Sequence, residues 1–277
     1  MALDIKNLTV RTLSGIVYIG VIIGAILWGV YGVAILASVF TVFGIYELEK
    51  MPRDDNAIQW PKYLPFDCIA ALSIIWGVSH ISLYFLLGFA LVFIFLRIVA
   101  QIFFKETRGF YAIAISCLSL IYIALPMAGF VILEIEFEYF PWVLVAIVSL
   151  IWINDTGAFL IGSLFGRHRL YEALSPKKSW EGFFGGMVFS IGAAIGYHFI
   201  FKGATPFPMS LLLWIFIGFI VTVASTIGDL FESMLKRNVG VKDSGKLIPG
   251  HGGILDRVDS LLFVVPSLLI IILISCF

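Results

Sequence analysis

Apolar runs of about twenty residues recur along almost the whole chain, and they decide what it can fold into. A helix needs ~20 apolar residues to cross the hydrocarbon core of a bilayer, where each backbone polar group must be satisfied inside the protein. The first run, Leu13 to about Tyr46, is long enough for two crossings. Its expected break is Trp28-Gly29-Val30-Tyr31-Gly32, where two glycines and interfacial aromatics suit a tight turn at the headgroups. A cleavable secretory signal would carry an apolar core of only ~7–15 residues ahead of a soluble body, so Lys6 and Arg11 before this run do not make one. Further spans are expected at about 64–79, 81–100, 110–132, 139–163, 183–201, 209–231 and 260–277. The expected fold is all-α: a polytopic integral membrane protein of about nine transmembrane helices. Composition agrees, with 61% hydrophobic and 13% charged residues, against about half and a quarter in a soluble domain. Cys68, Cys117 and Cys276 lie far apart in or beside apolar runs and read as packing residues, not as a disulfide or metal set.

Charge placement gives an orientation. With a cytoplasmic N-terminus and alternating spans, every Lys and Arg except Lys202 falls on the cytoplasmic side, Arg97 included. The outer loop between the fifth and sixth spans holds Glu134, Glu136 and Glu138 and no base. The positive-inside rule favours this arrangement. Two regions differ in character. Residues 1–140 form about five helices with few polar groups, and residues 141–277 form about four helices interrupted by polar loops. No internal repeat is evident, which weakens an inverted-repeat transporter. Eighteen basic residues balance eighteen acidic ones, and no nucleic-acid partner is expected.

The chemistry gathers in the second region. Asn154-Asp155-Thr156 lies inside a span, where a charge costs ~2.5–3.5 kcal/mol and needs a cavity or a partner. The bland alternative is a buried polar cluster that packs helices. Ser175-Pro176-Lys177-Lys178 suits a loop turning into a helix whose N-terminus can hold an anion; equally, the lysines can touch anionic headgroups. In Gly228–Arg237, helical spacing stacks Asp229, Glu232, Ser233 and Lys236 on one face, which cannot point at lipid. The stretch Gly240 to Gly245-Lys246 imitates part of a phosphate loop, but Leu247 stands where a magnesium-binding hydroxyl should be, so it is not a Walker site. Asp256 and Asp259 share a face at the start of the last span, where a helix dipole favours anions by ~0.3–1 kcal/mol. Carboxylates from separate helices that meet lysines and glycines are what a magnesium–phosphate site requires.

The ordered stretch Ser233-x2-Lys236-Arg237-x4-Lys242-Asp243-x-Gly245-x2-Ile248-Pro249-Gly250-His251-Gly252-Gly253-x2-Asp256-Arg257-x-Asp259 resembles the signature of phosphatidate cytidylyltransferases, also called CDP-diacylglycerol synthases. Asn154-Asp155 and Ser175-Pro176-Lys177-Lys178-Ser179-x-Glu181-Gly182 resemble that family's upstream block, with Ser179 where many relatives have Thr. The resemblance covers roughly residues 150–260. It implies transfer of the cytidylyl group of CTP to phosphatidic acid, with magnesium and a second, monovalent cation as candidate ions. It also implies a prokaryotic inner-membrane setting, a site facing the cytoplasm and a homodimer. By the same resemblance, Asp229 and Asp256 are the first candidates as metal ligands, followed by Asp259 and Asp155. Lys236, Arg237, Lys242, Lys246 and Arg257 are candidates for substrate phosphates, and Lys177 and Lys178 for the second anion. Asn154, Ser175 and Ser233 complete the substrate-binding set. His251 either donates to a phosphate or holds the loop, and Asp243 orients a lysine. The alternatives are a cytidylyltransferase acting on an ether or isoprenoid lipid phosphate, and an ion-coupled transporter. The transporter would need polar residues through the full membrane depth, whereas the outer half of most spans is apolar.

Overall fold

The structure is a computed structural model, described here for residues 5–51, 63–80, 83–104, 109–203, 209–245, 247 and 252–275. The long apolar runs fold as helices: α1 (Ile5–Trp28), α2 (Val30–Lys50), α3 (Leu64–His80), α4 (Leu83–Phe104), α5 (Gly109–Ser119), α6 (Leu125–Glu136), α7 (Pro141–Phe165), α8 (Trp180–Ile200), α9 (Leu211–Asn238) and α10 (Leu255–Ser275). Among the described residues, five helical segments are long and apolar enough to cross a membrane: Val30–Lys50, Gly109–Glu136, Pro141–Phe165, Trp180–Ile200 and Leu211–Asn238. Their outward faces are apolar, as at Phe159 (72% exposed), Val188 (70%) and Leu212 (75%). Water would penalise such surfaces and hydrocarbon does not. The protein is an all-α, multi-pass membrane protein.

Local chemistry sets the breaks. The expected turn in the first run falls at Gly29, whose φ of 92° lies in the left-handed region. A Cβ on Gly32 would run into the Ala25 carbonyl, so the second glycine of that turn serves close approach. A π-helical turn, Leu120–Ala124, joins α5 to α6. Pro126, two residues further on, has no N–H for the Tyr122 carbonyl, and a widened turn relieves the clash its ring would cause.

The chain divides into two compact units, Met1–Ile135 with Val239–Val258, and Glu136–Asn238 with Asp259–Phe277. In the second unit α7 and α8 approach through glycines. A Cβ on Gly182 would sit 3.3 Å from the Cα of Gly162, and one on Gly186 would sit 2.6 Å from Asn154 Oδ1. Small residues at i and i+4 let backbones meet where no hydrophobic effect drives association. One element departs from the all-helical expectation. Between α7 and α8 the chain forms an antiparallel hairpin, β1 (Arg169–Tyr171) and β2 (Ser175–Ser179). Ser175 and Pro176 therefore begin a strand, not a helix. The helix starts at Trp180, where Ser179 Oγ caps it by accepting from the Gly182 N–H at 3.1 Å.

The first unit holds a buried polar network that the sequence reading did not assemble. Arg97, counted there on the cytoplasmic side, lies within α4 and is 4% exposed, enclosed by protein. Its Nε donates to Ser116 Oγ at 3.0 Å and lies 4.0 Å from Asp67 Oδ2, and Nη1 donates to Gln101 Oε1 at 2.9 Å. The guanidinium stacks 3.4 Å from the centre of the Tyr63 ring. Ser116 donates to Asp67 at 2.6 Å, and Glu49 lies against Asp67.

Candidate functional site

In the second unit, strand, helix and helix bring opposite charges together. Asp229 stands on α9 with its side chain 38% exposed, and Lys178 reaches it from β2, Nζ to Oδ2 at 2.6 Å. Asp259, at the start of α10, lies within electrostatic range of Asp229, Asp155 and Lys178. Gly228 explains how α9 and α10 come this close, since a Cβ there would sit 2.5 Å from the Asp259 carbonyl oxygen. Ser233, one turn below, donates to Asp229 Oδ1 at 3.3 Å.

The adjacent pair Asn154-Asp155 divides its labour. Asn154 is 3% exposed and donates to Ser225 Oγ on α9 at 3.1 Å, so it clamps two helices. Asp155 is exposed on the same helix and joins the acidic group. The lysine pair splits as well. The register of the hairpin is irregular between Arg169 and Tyr171, leaving Pro176 and Lys177 exposed and turning Lys178 inward. A bulge can re-aim a side chain in this way. Glu181 anchors the hairpin's entry, accepting from the backbone N–H groups of Arg167 and His168 at 3.1 and 3.2 Å.

Lys236 does not face outward with Arg237. It is 8% exposed and bonds Glu232 Oε2 at 2.6 Å, an i, i+4 ion pair within α9. Arg237 is exposed at the helix end, where a cation also suits the helix dipole.

The described signature residues between Val239 and Val258 lie in the first unit. Asp256 Oδ2 accepts from Ser244 N at 3.0 Å, Ser244 Oγ at 3.0 Å and Gly253 N at 2.8 Å. Gly252, with φ of 83°, would set a Cβ 2.6 Å from the same oxygen. Lys242 and Asp243 are exposed on the turn before Ser244, and Arg257 is half-buried, its carbonyl accepting from Tyr18 Oη at 2.8 Å. Lys246 and His251 lie outside the described residues.

One residue escaped the sequence reading. Glu47, in the last turn of α2, is 2% exposed. It accepts from Ile254 N at 3.0 Å and Leu255 N at 2.9 Å, and shares with Asp256 the single proton of Ser244 Oγ, 3.0 Å away. A signal was present, because an acid at a helix C-terminus opposes the dipole and calls for donors. Beside it opens a cavity of ≈ 630 Å³, lined in part by Tyr46, Lys50, Lys242, Asp243 and Gly245.

Among the described residues no three His, Cys, Asp or Glu side chains form a closed metal cage. One or two carboxylates can hold magnesium together with substrate phosphates, and Asp229 and Asp259 are the pair that could serve so. A lysine beside them can neutralise a phosphate.

Comparison with known proteins gives a whole-length match. Residues 9–275 fit the model described as "Cytidylyltransferase family". A phosphatidate cytidylyltransferase of Staphylococcus aureus (strain COL) is 31% identical over 271 residues, 95% of this chain and 98% of the relative. Relatives of the same name from Staphylococcus haemolyticus and Staphylococcus epidermidis are 43% identical over 123 residues and 37% over 169. These cover 44% and 61% of this chain, and 46% and 62% of the relatives. The chain is thus a nucleotidyltransferase and belongs to the cytidylyltransferase family.

Proposed function

We propose that the protein joins CTP to phosphatidic acid, giving CDP-diacylglycerol and pyrophosphate, at a magnesium-dependent site on the cytoplasmic side of the membrane. The observation that carries this reading is the Lys178–Asp229 pair with Asp155 and Asp259 about it, in a chain matching phosphatidate cytidylyltransferases over 95% of its length. An oxygen of the lipid phosphomonoester attacks the α-phosphorus of CTP; that P–O bond forms as the bond to the β-phosphate breaks, and pyrophosphate leaves. The attacking oxygen is already largely anionic near pH 7, where the second phosphate pKa of about 6 has been passed, so no strong base is required. The difficulty is bringing anions together and stabilising the charge that leaves, which calls for positioning and fixed charge.

Asp229 and Asp259 are proposed magnesium ligands, with Asp155 in support; the bound ion would neutralise phosphate oxygens and order the polyphosphate. Lys178 receives a phosphate oxygen as its contact with Asp229 loosens. Asp256, whose Oδ2 accepts the backbone N–H groups of Ser244 and Gly253, also shapes the signature segment and is, along with Asp229, a proposed metal ligand. Placement of the basic residues supports the cytoplasmic orientation.

The test is pyrophosphate release from CTP by the detergent-purified protein, with phosphatidic acid and magnesium each present or withheld. Turnover requiring all three, with CDP-diacylglycerol as product, is the expected result. Turnover with an ether-lipid phosphate but not with phosphatidate would reassign the acceptor. Asp229→Asn is expected to abolish magnesium-dependent turnover while leaving membrane insertion intact, and normal turnover in that variant would overturn the metal assignment.

A further inference from the structure

We infer that Glu47 is a positioning residue for nucleotide binding, and that the cavity beside it receives the nucleotide. The inference rests on the CTP-dependent reading above and adds a part of the molecule, the end of α2, that the signature does not include. A carboxylate that is 2% exposed near a membrane interface is costly unless its lone pairs are filled. Here both oxygens are occupied, and every donor comes from the signature segment. Oε1 takes the Ile254 N–H, while Oε2 takes the Leu255 N–H and shares the Ser244 hydroxyl with Asp256. The donors lie about two hundred residues away in sequence, so local chain geometry cannot account for the contact.

The contact also explains two glycines of the signature. A Cβ on Gly245 or on Gly253 would strike the Glu47 carboxylate. At these two positions the group that the missing side chain admits is Glu47. Pinning Ser244 fixes the turn that carries Lys242 and Asp243, which forms a wall of the ≈ 630 Å³ cavity. The opposite wall is α2 itself, with Tyr46 and Lys50, the lysine Nζ 2.9 Å from the Tyr46 hydroxyl. Two ammonium groups and an aromatic ring around a cavity of that size suit a phosphorylated nucleoside better than a two-tailed lipid, and the volume is within the ~300–1,000 Å³ of small-ligand sites.

The carboxylate cannot be replaced by its amide. Glutamine would place an NH₂ against either the Ile254 N–H or the Leu255 N–H, donor against donor, however it is rotated. Glu47→Gln is therefore expected to behave almost as Glu47→Ala does. Each should raise KM for CTP by about tenfold or more, the scale of one lost charge-assisted hydrogen bond, with KM for phosphatidate within about twofold. Ser244→Ala, which removes one of three donors, should give a smaller change in the same direction.

The experiment pairs these constants with amide exchange on the full-length, detergent-purified protein, with and without CTP. In the wild type, CTP should protect Ser244, Gly245 and the α2 end. In Glu47→Gln, exchange at Ser244, Ile254 and Leu255 should rise and CTP protection should fall. Absence of CTP protection in the wild type, or a Glu47→Gln enzyme with an unchanged CTP KM, would overturn the inference. An equal rise in both substrates' KM would reduce Glu47 to a general structural role and overturn it as well. If Glu47→Gln does not fold, Ser244→Ala decides by the same constants. The exchange arm needs no turnover, so a protein that binds CTP in this cavity but makes no CDP-diacylglycerol would refute the proposed reaction and leave this inference standing.

Discussion

In the first unit Glu47 and Asp256 accept hydrogen bonds from backbone N–H groups and one serine, whereas in the second unit Asp229 meets side chains alone, the tip of a long lysine and the Ser233 hydroxyl. A carboxylate held by backbone donors cannot release them without unfolding a turn, so it fixes the shape of the segment that donates. One facing a flexible ammonium can exchange that partner for a cation or a phosphate at small cost, so its task can be chemistry. Two aspartates of similar sequence standing, Asp229 and Asp256, thus have partners of different mobility. The contrast extends to buried ions. Arg97 in the first unit is enclosed by Ser116, Gln101, Tyr63 and Asp67, while Lys178 in the second remains 26% exposed.

Substitutions can break this contrast or sharpen it. The largest expected effect is on stability: Arg97→Ala strands Asp67 and Glu49 in the first unit and should cost about 3–5 kcal/mol, read as a fall in denaturation midpoint in detergent. Lys178→Ala should leave the midpoint near wild type while lowering kcat by about 10²–10³, the range for losing one preorganised electrostatic contact. Retained turnover there would leave the mobile partner of Asp229 without a part in the chemistry. Next comes Gly228→Ala, which drives a methyl into the α10 backbone at Asp259; it should destabilise by about 1–3 kcal/mol and lower turnover in parallel. The smallest effect belongs to Lys177→Ala, where exposed charge in high dielectric should change turnover by less than about threefold. Were Lys177→Ala as damaging as Lys178→Ala, the inward and outward lysines would be functionally one pair.

Much of this was legible in the sequence. Apolar period and length gave the helices, and glycines with flanking aromatics gave the break at Gly29. Asp229 and Ser233 do share a face of α9, as their spacing requires. The failures have physical causes. Helical spacing placed Lys236 with its neighbours on one face but could not tell that Glu232, four residues earlier, would claim its charge. The hairpin was hidden because Ser-Pro-Lys-Lys-Ser has no alternating apolar pattern to announce a strand. The burial of Arg97 went unread because its partners Asp67 and Ser116 come from other helices, and a linear reading does not pair them. Glu47 was missed for the same reason at greater range, although its unfavourable place at a helix C-terminus was written in plain view.

The irregular register of the β1–β2 hairpin has a consequence for how this chain can change its length. Whichever lysine meets Asp229 is chosen by strand phase, not by side-chain type, since the two are chemically identical neighbours. With Pro176 and Lys177 both facing outward, that phase depends on the irregularity itself, so inserting or removing a residue inside β2 would disturb it. A change of length within β2 therefore acts on the charge that meets Asp229, even where it leaves both lysines in the sequence.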